Sequence, residues 1–164
     1  MKSLRFTLPV VVLLATTAVL ADSSAQKSFD KLKSLSGSWE GKNSMGEVMH
    51  VSFRVTSGGS AVMSEIEGHG EDMITMFHMD GDRLLLTHYC TAGNQPRMVA
   101  TASPDGKSIA FDFLDATNLA SPQAEHMHRV VFTFPDADHH SEEWVFFKHG
   151  KELPHERFDL QRKR

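Results

Sequence analysis

From Glu47 to Leu160 the chain alternates apolar and polar residues in short runs, each broken by Gly, Pro, Asn or Asp. A period of two belongs to a strand with one wet and one dry face. In "EVMHVSFRV", Met49, Val51, Phe53 and Val55 share one side, and His50, Ser52 and Arg54 share the other. Ser57-Gly58-Gly59-Ser60 is a turn, and "AVMSEIE" is the returning strand. "MITMFHM", Asp80-Gly81 and "RLLLTHYC" form a hairpin, because Asp-Gly tolerates the positive φ of a tight turn.

The pattern continues through "RMVAT", "KSIAFDFL", "EHMHRVVFTF", "SEEWVFFK" and a last strand near Glu156 to Leu160. With "SWEGK" at the start this makes about ten short strands, the spacing of an all-β barrel or sandwich. A meander has two free edges unless it closes, and open edges invite aggregation. Nearly every connection is short enough for a hairpin, so sequence neighbours are expected to be spatial neighbours. The sequence therefore predicts an all-β, antiparallel up-and-down barrel of about ten strands. Phe29, Leu32 and Leu35 recur at helical spacing, so Gln26 to Leu35 is expected as one short helix closing an end.

The first residues read as a leader. Lys2 and Arg5 precede an apolar stretch from Phe6 to Leu20, and small-residue cleavage sites follow Ala21 and Ala25. This is the pattern of a cleaved secretory signal peptide over residues 1–25, with one domain from 26 to 164. The apolar run is shorter than the roughly 20 residues needed to span a bilayer. Export to a periplasmic or extracellular space is the expectation, with no transmembrane segment after cleavage. The single cysteine permits no internal disulfide, so stability must come from burial. A net charge of -4 offers no basic footprint for nucleic acid.

"LSGSWEG", Leu35 to Gly41, follows the helix and opens the first strand. It resembles the Leu-x-Gly-x-Trp-x-Gly signature of the calycins, the superfamily of lipocalins, fatty-acid-binding proteins and nitrobindin-like barrels. Gly37 lets the chain turn sharply, and Trp39 is large enough to seal a barrel end. The resemblance implies an arginine from the end of the chain packed on Trp39, with Arg157 the first candidate and Arg129 the second. Gly37, Trp39, Gly41 and Arg157 are thus its structural signature. The "THYC…GNQPRM" segment is similar to one in the DUF1579-type group of exported bacterial lipocalin-like proteins of unknown function. The resemblance implies a barrel and a cavity; it implies no reaction, because fold does not fix function.

Along "LLLTHYC", Leu84, Leu86, His88 and Cys90 share one face, and Leu85, Thr87 and Tyr89 the other. An inward His88 and Cys90 would line a pocket about 6–7 Å apart, too far for direct proton transfer. No catalytic residue is assigned, and turnover is not expected. Tyr89, Asn94 and Arg97 could rim a cavity and hold a polar head group, or Asn94 and Arg97 could only brace their loop. Phe53, Met76, Leu86, Phe111, Phe113, His128 and Phe132 are expected to line the interior, with Met63 and Phe146 plausible beside them. Ten strands enclose more room than the eight that side chains can just fill, so a residual cavity is expected.

His126 and His128 stand at i and i+2, a spacing that can share a metal on a strand. A third ligand would come from His78, His88, His139 or His140. Three functions remain open on these residues. The first is a barrel holding a small, largely apolar molecule without cofactor or turnover. The second is a haem- or metal-binding barrel of the nitrobindin type, using interior histidines such as His88, His126 and His128. The third is a solid-cored envelope or interaction protein.

Overall fold

The computed structural model describes residues 23–68 and 72–164, and of His155 the backbone alone. The leader expected over residues 1–25 therefore lies almost wholly outside the described residues. A helix, α1 (Ser24–Lys33), is followed by β1 (Gly37–Asn43), β2 (Val48–Thr56), β3 (Ala61–Glu67), β4 (Met73–Asp80) and β5 (Arg83–Tyr89). Then come β6 (Gln95–Ala102), β7 (Ser108–Thr117), β8 (His126–Thr133), β9 (His139–Lys148) and β10 (Lys151–Arg162). Every strand pairs antiparallel with its sequence neighbours, and β1 pairs with β10, so the meander closes into a ten-stranded up-and-down barrel. Among the described residues no helix is long and apolar enough to cross a membrane.

The tight turns follow their residues. Asp80 pairs with Arg83 across Gly81, whose φ is 58°. Lys148 pairs with Lys151 across His149 and Gly150, both at positive φ, the geometry of a two-residue hairpin loop. The helix starts two residues earlier than its apolar periodicity indicates, because the Ser23 hydroxyl caps it by accepting from the Gln26 N–H at 3.1 Å. Phe29 and Leu32 of α1, with Leu35 just beyond it, are buried in the core, and α1 packs on β2, β4, β5 and β6.

The half of the barrel next to α1 is solid. Phe77, Phe111 and Phe132 meet edge to face or tilted at centroid separations of 5.5 to 6.0 Å. Leu32, Leu84, Leu86 and Ile109 fill the space around them. Met63 and Met76 do not take part. Val62 pairs with Phe77 and Ser64 with Thr75, all four buried, so Met63 and its partner Met76 face outward on the alternate positions. Methionine reads as interior by type, but register leaves hydroxyls inside and thioethers outside.

Closure depends on the "SGSWEG" segment and the last strand. The Trp39 Nε1–H donates to the Leu35 carbonyl at 2.7 Å, and the arginine over its ring is Arg162, 4.3 Å from the centroid. Arg157 does not fill that role; it pairs with Glu143 and Asp159 on the outer surface. The reason is register: Trp39 faces Arg162 across the β1–β10 pair, five residues beyond Arg157. Arg162 also donates to the carbonyls of Ser34 and Ser36, at 2.9 and 2.8 Å, tying the helix exit to the strand that closes the ring.

Gly41 shows why that signature needs a glycine. A Cβ there would come within 2.8 Å of the Asp159 carbonyl carbon and closer still to its oxygen. Gly41→Ala should therefore force β1 from β10 and cost roughly 3 kcal/mol, read as a lower urea midpoint. An unchanged midpoint would show that the two strands do not approach so closely.

Candidate functional site

Away from α1 the barrel is hollow. A cavity of about 330 Å³ is walled by Ile66, Met73, Met127, Trp144, Phe146 and Phe158, with His88 among them. Cys90, Thr91 and Ala92, leaving β5, and Glu156 of β10 complete its lining. The volume lies at the small end of ligand pockets. Cys90 is in no disulfide.

The residues singled out from sequence divide sharply. His88 and Cys90 do line the cavity. Phe53, Leu86, Phe111 and Phe132 are buried, but in the packed core and not on the cavity wall. Tyr89 is 49% exposed, because it takes the outward position opposite Ile74. Arg97 is also exposed and binds Asp115 through two hydrogen bonds, one of them 2.6 Å long. Asn94 is buried, and its amide donates to the Glu125 carbonyl at 2.8 Å, bracing the β5–β6 turn against the β7–β8 connection. A polar rim of Tyr89, Asn94 and Arg97 is thus not assembled.

The two strand histidines are likewise redirected. Met127 pairs with Phe146 and Arg129 with Val145, so His128 is the extra residue of a β-bulge. The bulge shifts the alternation and turns Met127 into the cavity. His126 and His128 instead cluster with Phe113 and Phe147, at centroid separations of 4.4 to 5.3 Å. His126 Nδ1 lies 2.8 Å from the Ala124 carbonyl and donates to it; its Nε2 lies 3.0 Å from His128 Nδ1, and His128 Nε2 faces the Glu152 carboxylate at 3.5 Å. Desolvation, then the neighbouring His126, holds the His128 pKa below its ordinary value. Neither histidine joins His88, and among the described residues no group of three His, Cys, Asp or Glu side chains could hold a metal ion.

Beneath the cavity lies a polar group that alternation alone did not assign. His140, Glu142, Trp144 and Phe146 occupy successive inward positions of β9, and Glu142 is fully buried. The Trp144 Nε1–H donates to Glu142 Oε2 at 3.1 Å, and His140 Nε2 lies 3.2 Å from Oε1. The His140 ring meets Trp39 edge-on at 4.3 Å, joining this group to the closure site. The signal was present in "HSEEWVF", where one of two adjacent glutamates had to share a face with tryptophan. Removing Glu142 would strand the buried indole N–H and His140. Glu142→Ala should cost about 3–5 kcal/mol in denaturant unfolding, and Glu142→Gln, which keeps an acceptor for Trp144, distinctly less.

His88 is fully buried. Its Nδ1 lies 2.9 Å from the Thr75 hydroxyl, its ring lies 4.7 Å from that of Trp144, and its Nε2 has no hydrogen-bond partner among the described residues. Burial pushes its pKa from 6.5 down to about 4. The unfolded chain therefore takes up a proton near pH 6.5 that the folded protein refuses. The stability present above pH 6.5 is lost as pH falls toward 4, by about 3 kcal/mol in all. His88→Phe should flatten that part of the stability–pH curve, measured by denaturant titration between pH 7 and 4. An unaltered slope would show that His88 is solvated.

Compared with known protein families and with curated proteins, the chain matches none. The chain forms a closed, ten-stranded antiparallel barrel, compatible with a calycin-like fold, whose interior holds a packed cluster and a cavity.

Proposed function

We propose that this barrel is a binding module for a small, largely apolar molecule, held in the interior without turnover. One observation carries the reading: a cavity of about 330 Å³ walled mainly by apolar and aromatic side chains, with one fully buried imidazole among them. Such a mostly apolar wall with few polar groups is the usual form of a small-molecule site. The calycin resemblance of "LSGSWEG", extended by the stacking of Arg162 on Trp39, supports the same reading. Kinship with the DUF1579-type lipocalin-like proteins is part of this proposal. Export to a periplasmic or extracellular space belongs to this proposal. Cleavage after Ala21 would keep the Ser23 cap of α1, and cleavage after Ala25 would remove it.

A second reading, a haem- or metal-binding barrel, is favoured by the unpartnered, buried Nε2 of His88. That imidazole would hold the iron only with its proton on Nδ1, donated to the Thr75 hydroxyl. Bound haem would supply ligand-binding or redox chemistry at its iron.

Native mass spectrometry of protein purified without denaturation, followed by titration with the uncharged fluorescent probe N-phenyl-1-naphthylamine, tests the first reading. Bound mass or saturable probe binding is expected, and Met127→Trp, which fills the cavity, should abolish it while the fold is retained. A clean apo mass with no probe binding would overturn it. Addition of haemin, with a Soret shift that His88→Phe removes, would favour the second reading instead.

A further inference from the structure

The hydrogen-bond arrangement around His88 restricts what the cavity accepts. The Thr75 hydroxyl lies 2.9 Å from His88 Nδ1 and makes no other hydrogen bond among the described residues. Thr75 and His88 are register partners on adjacent strands, and both are buried. Two proton arrangements are available. If Nδ1–H donated to the hydroxyl, the Thr75 proton would be buried without an acceptor, and the Nε2 lone pair would also go unmet. If the hydroxyl donates to Nδ1, one unmet group remains, a buried Nε2–H on a residue that lines the cavity. Buried polar groups left unpaired are costly, so the second arrangement prevails.

Burial keeps this imidazole neutral near pH 7, so it carries a single N–H. A carboxylate guest would gain most from a charged imidazole, which the site resists. A metal would need the Nε2 lone pair, the position the proton occupies. A neutral acceptor needs neither change.

We propose that the cavity selects apolar molecules with an uncharged hydrogen-bond acceptor at the buried end, a ketone, aldehyde or ester carbonyl, read by the His88 Nε2–H. This assignment rests on the binding-module reading and specifies the class of its guest. It also gives Thr75 a role: its hydroxyl is a positioning group that sets the tautomer.

Two measurements test it. Nitrogen-15 correlation spectra of the labelled protein at pH 7 report the His88 tautomer directly, and the Nε2–H form is expected. Tryptophan fluorescence then follows titration with nonan-2-one and with 2-methylnon-1-ene, which has the same skeleton but no acceptor. The ketone should bind about tenfold more tightly. His88→Phe should erase the difference while keeping alkene binding, and His88→Gln, which retains a donor, should keep part of it. An Nδ1–H tautomer, or equal affinity of ketone and alkene for the wild type, overturns the carbonyl assignment and leaves the apolar cavity standing. Binding of neither compound overturns both.

Discussion

Everything in this molecule hangs on the pairing of its first strand with its last. Hairpins alone would leave a curved sheet with β1 and β10 as bare edges; joining them abolishes the edges and creates an inside. The joint is made at close range where Gly41 lies against the Asp159 backbone, and it is locked where Arg162 covers Trp39 and reaches the carbonyls of Ser34 and Ser36. Backbone contact sets the closure distance, and the cation–π contact with its hydrogen bonds fixes the end of the ring. The helix is held to the barrel by the same arginine.

Closure divides the interior into two unlike halves. Near α1, buried phenylalanines and leucines pack against one another in a closed cluster. Beyond them the inward side chains, still mainly apolar, leave a cavity of about 330 Å³. The transition runs through the Trp39–His140–Glu142–Trp144 chain, which links the sealed end to the cavity wall. A buried carboxylate at that level is expensive unless its hydrogen bonds are met, and here two ring nitrogens meet them. The cavity thus stands on a polar floor in which Trp144 and His140 share the Glu142 carboxyl, while His140 Nδ1 has no partner among the described residues.

His88 is the fully buried histidine of the cavity wall. It lies on an inward position of β5, backed by Thr75 of β4 and flanked by Trp144 of β9. Its neutrality follows from burial and its orientation from a single hydroxyl. The cavity wall is built mainly from apolar side chains, and the imidazole among them keeps one ring nitrogen without a hydrogen-bond partner among the described residues.

The period-two alternation and the turn residues determined the element order, the strand count and the closed meander, because those depend on local backbone geometry and on which faces avoid water. They also put Leu84, Leu86 and His88 on one shared face, since no irregularity interrupts β5, and the structure shows that face to be the inner one. Tertiary structure alone decided the rest. The bulge at His128 reversed the alternation of β8 and exchanged two expected histidines for Met127 on the cavity wall. Pairing register sent Met63 and Met76 outward while Ser64 and Thr75 went in. It also placed Arg162, and not Arg157, over Trp39. Residue type predicts a preference for burial, but a strand offers its two faces in strict turn. Which residues meet across the barrel is fixed by pairings between strands far apart in the chain, and no local pattern records them.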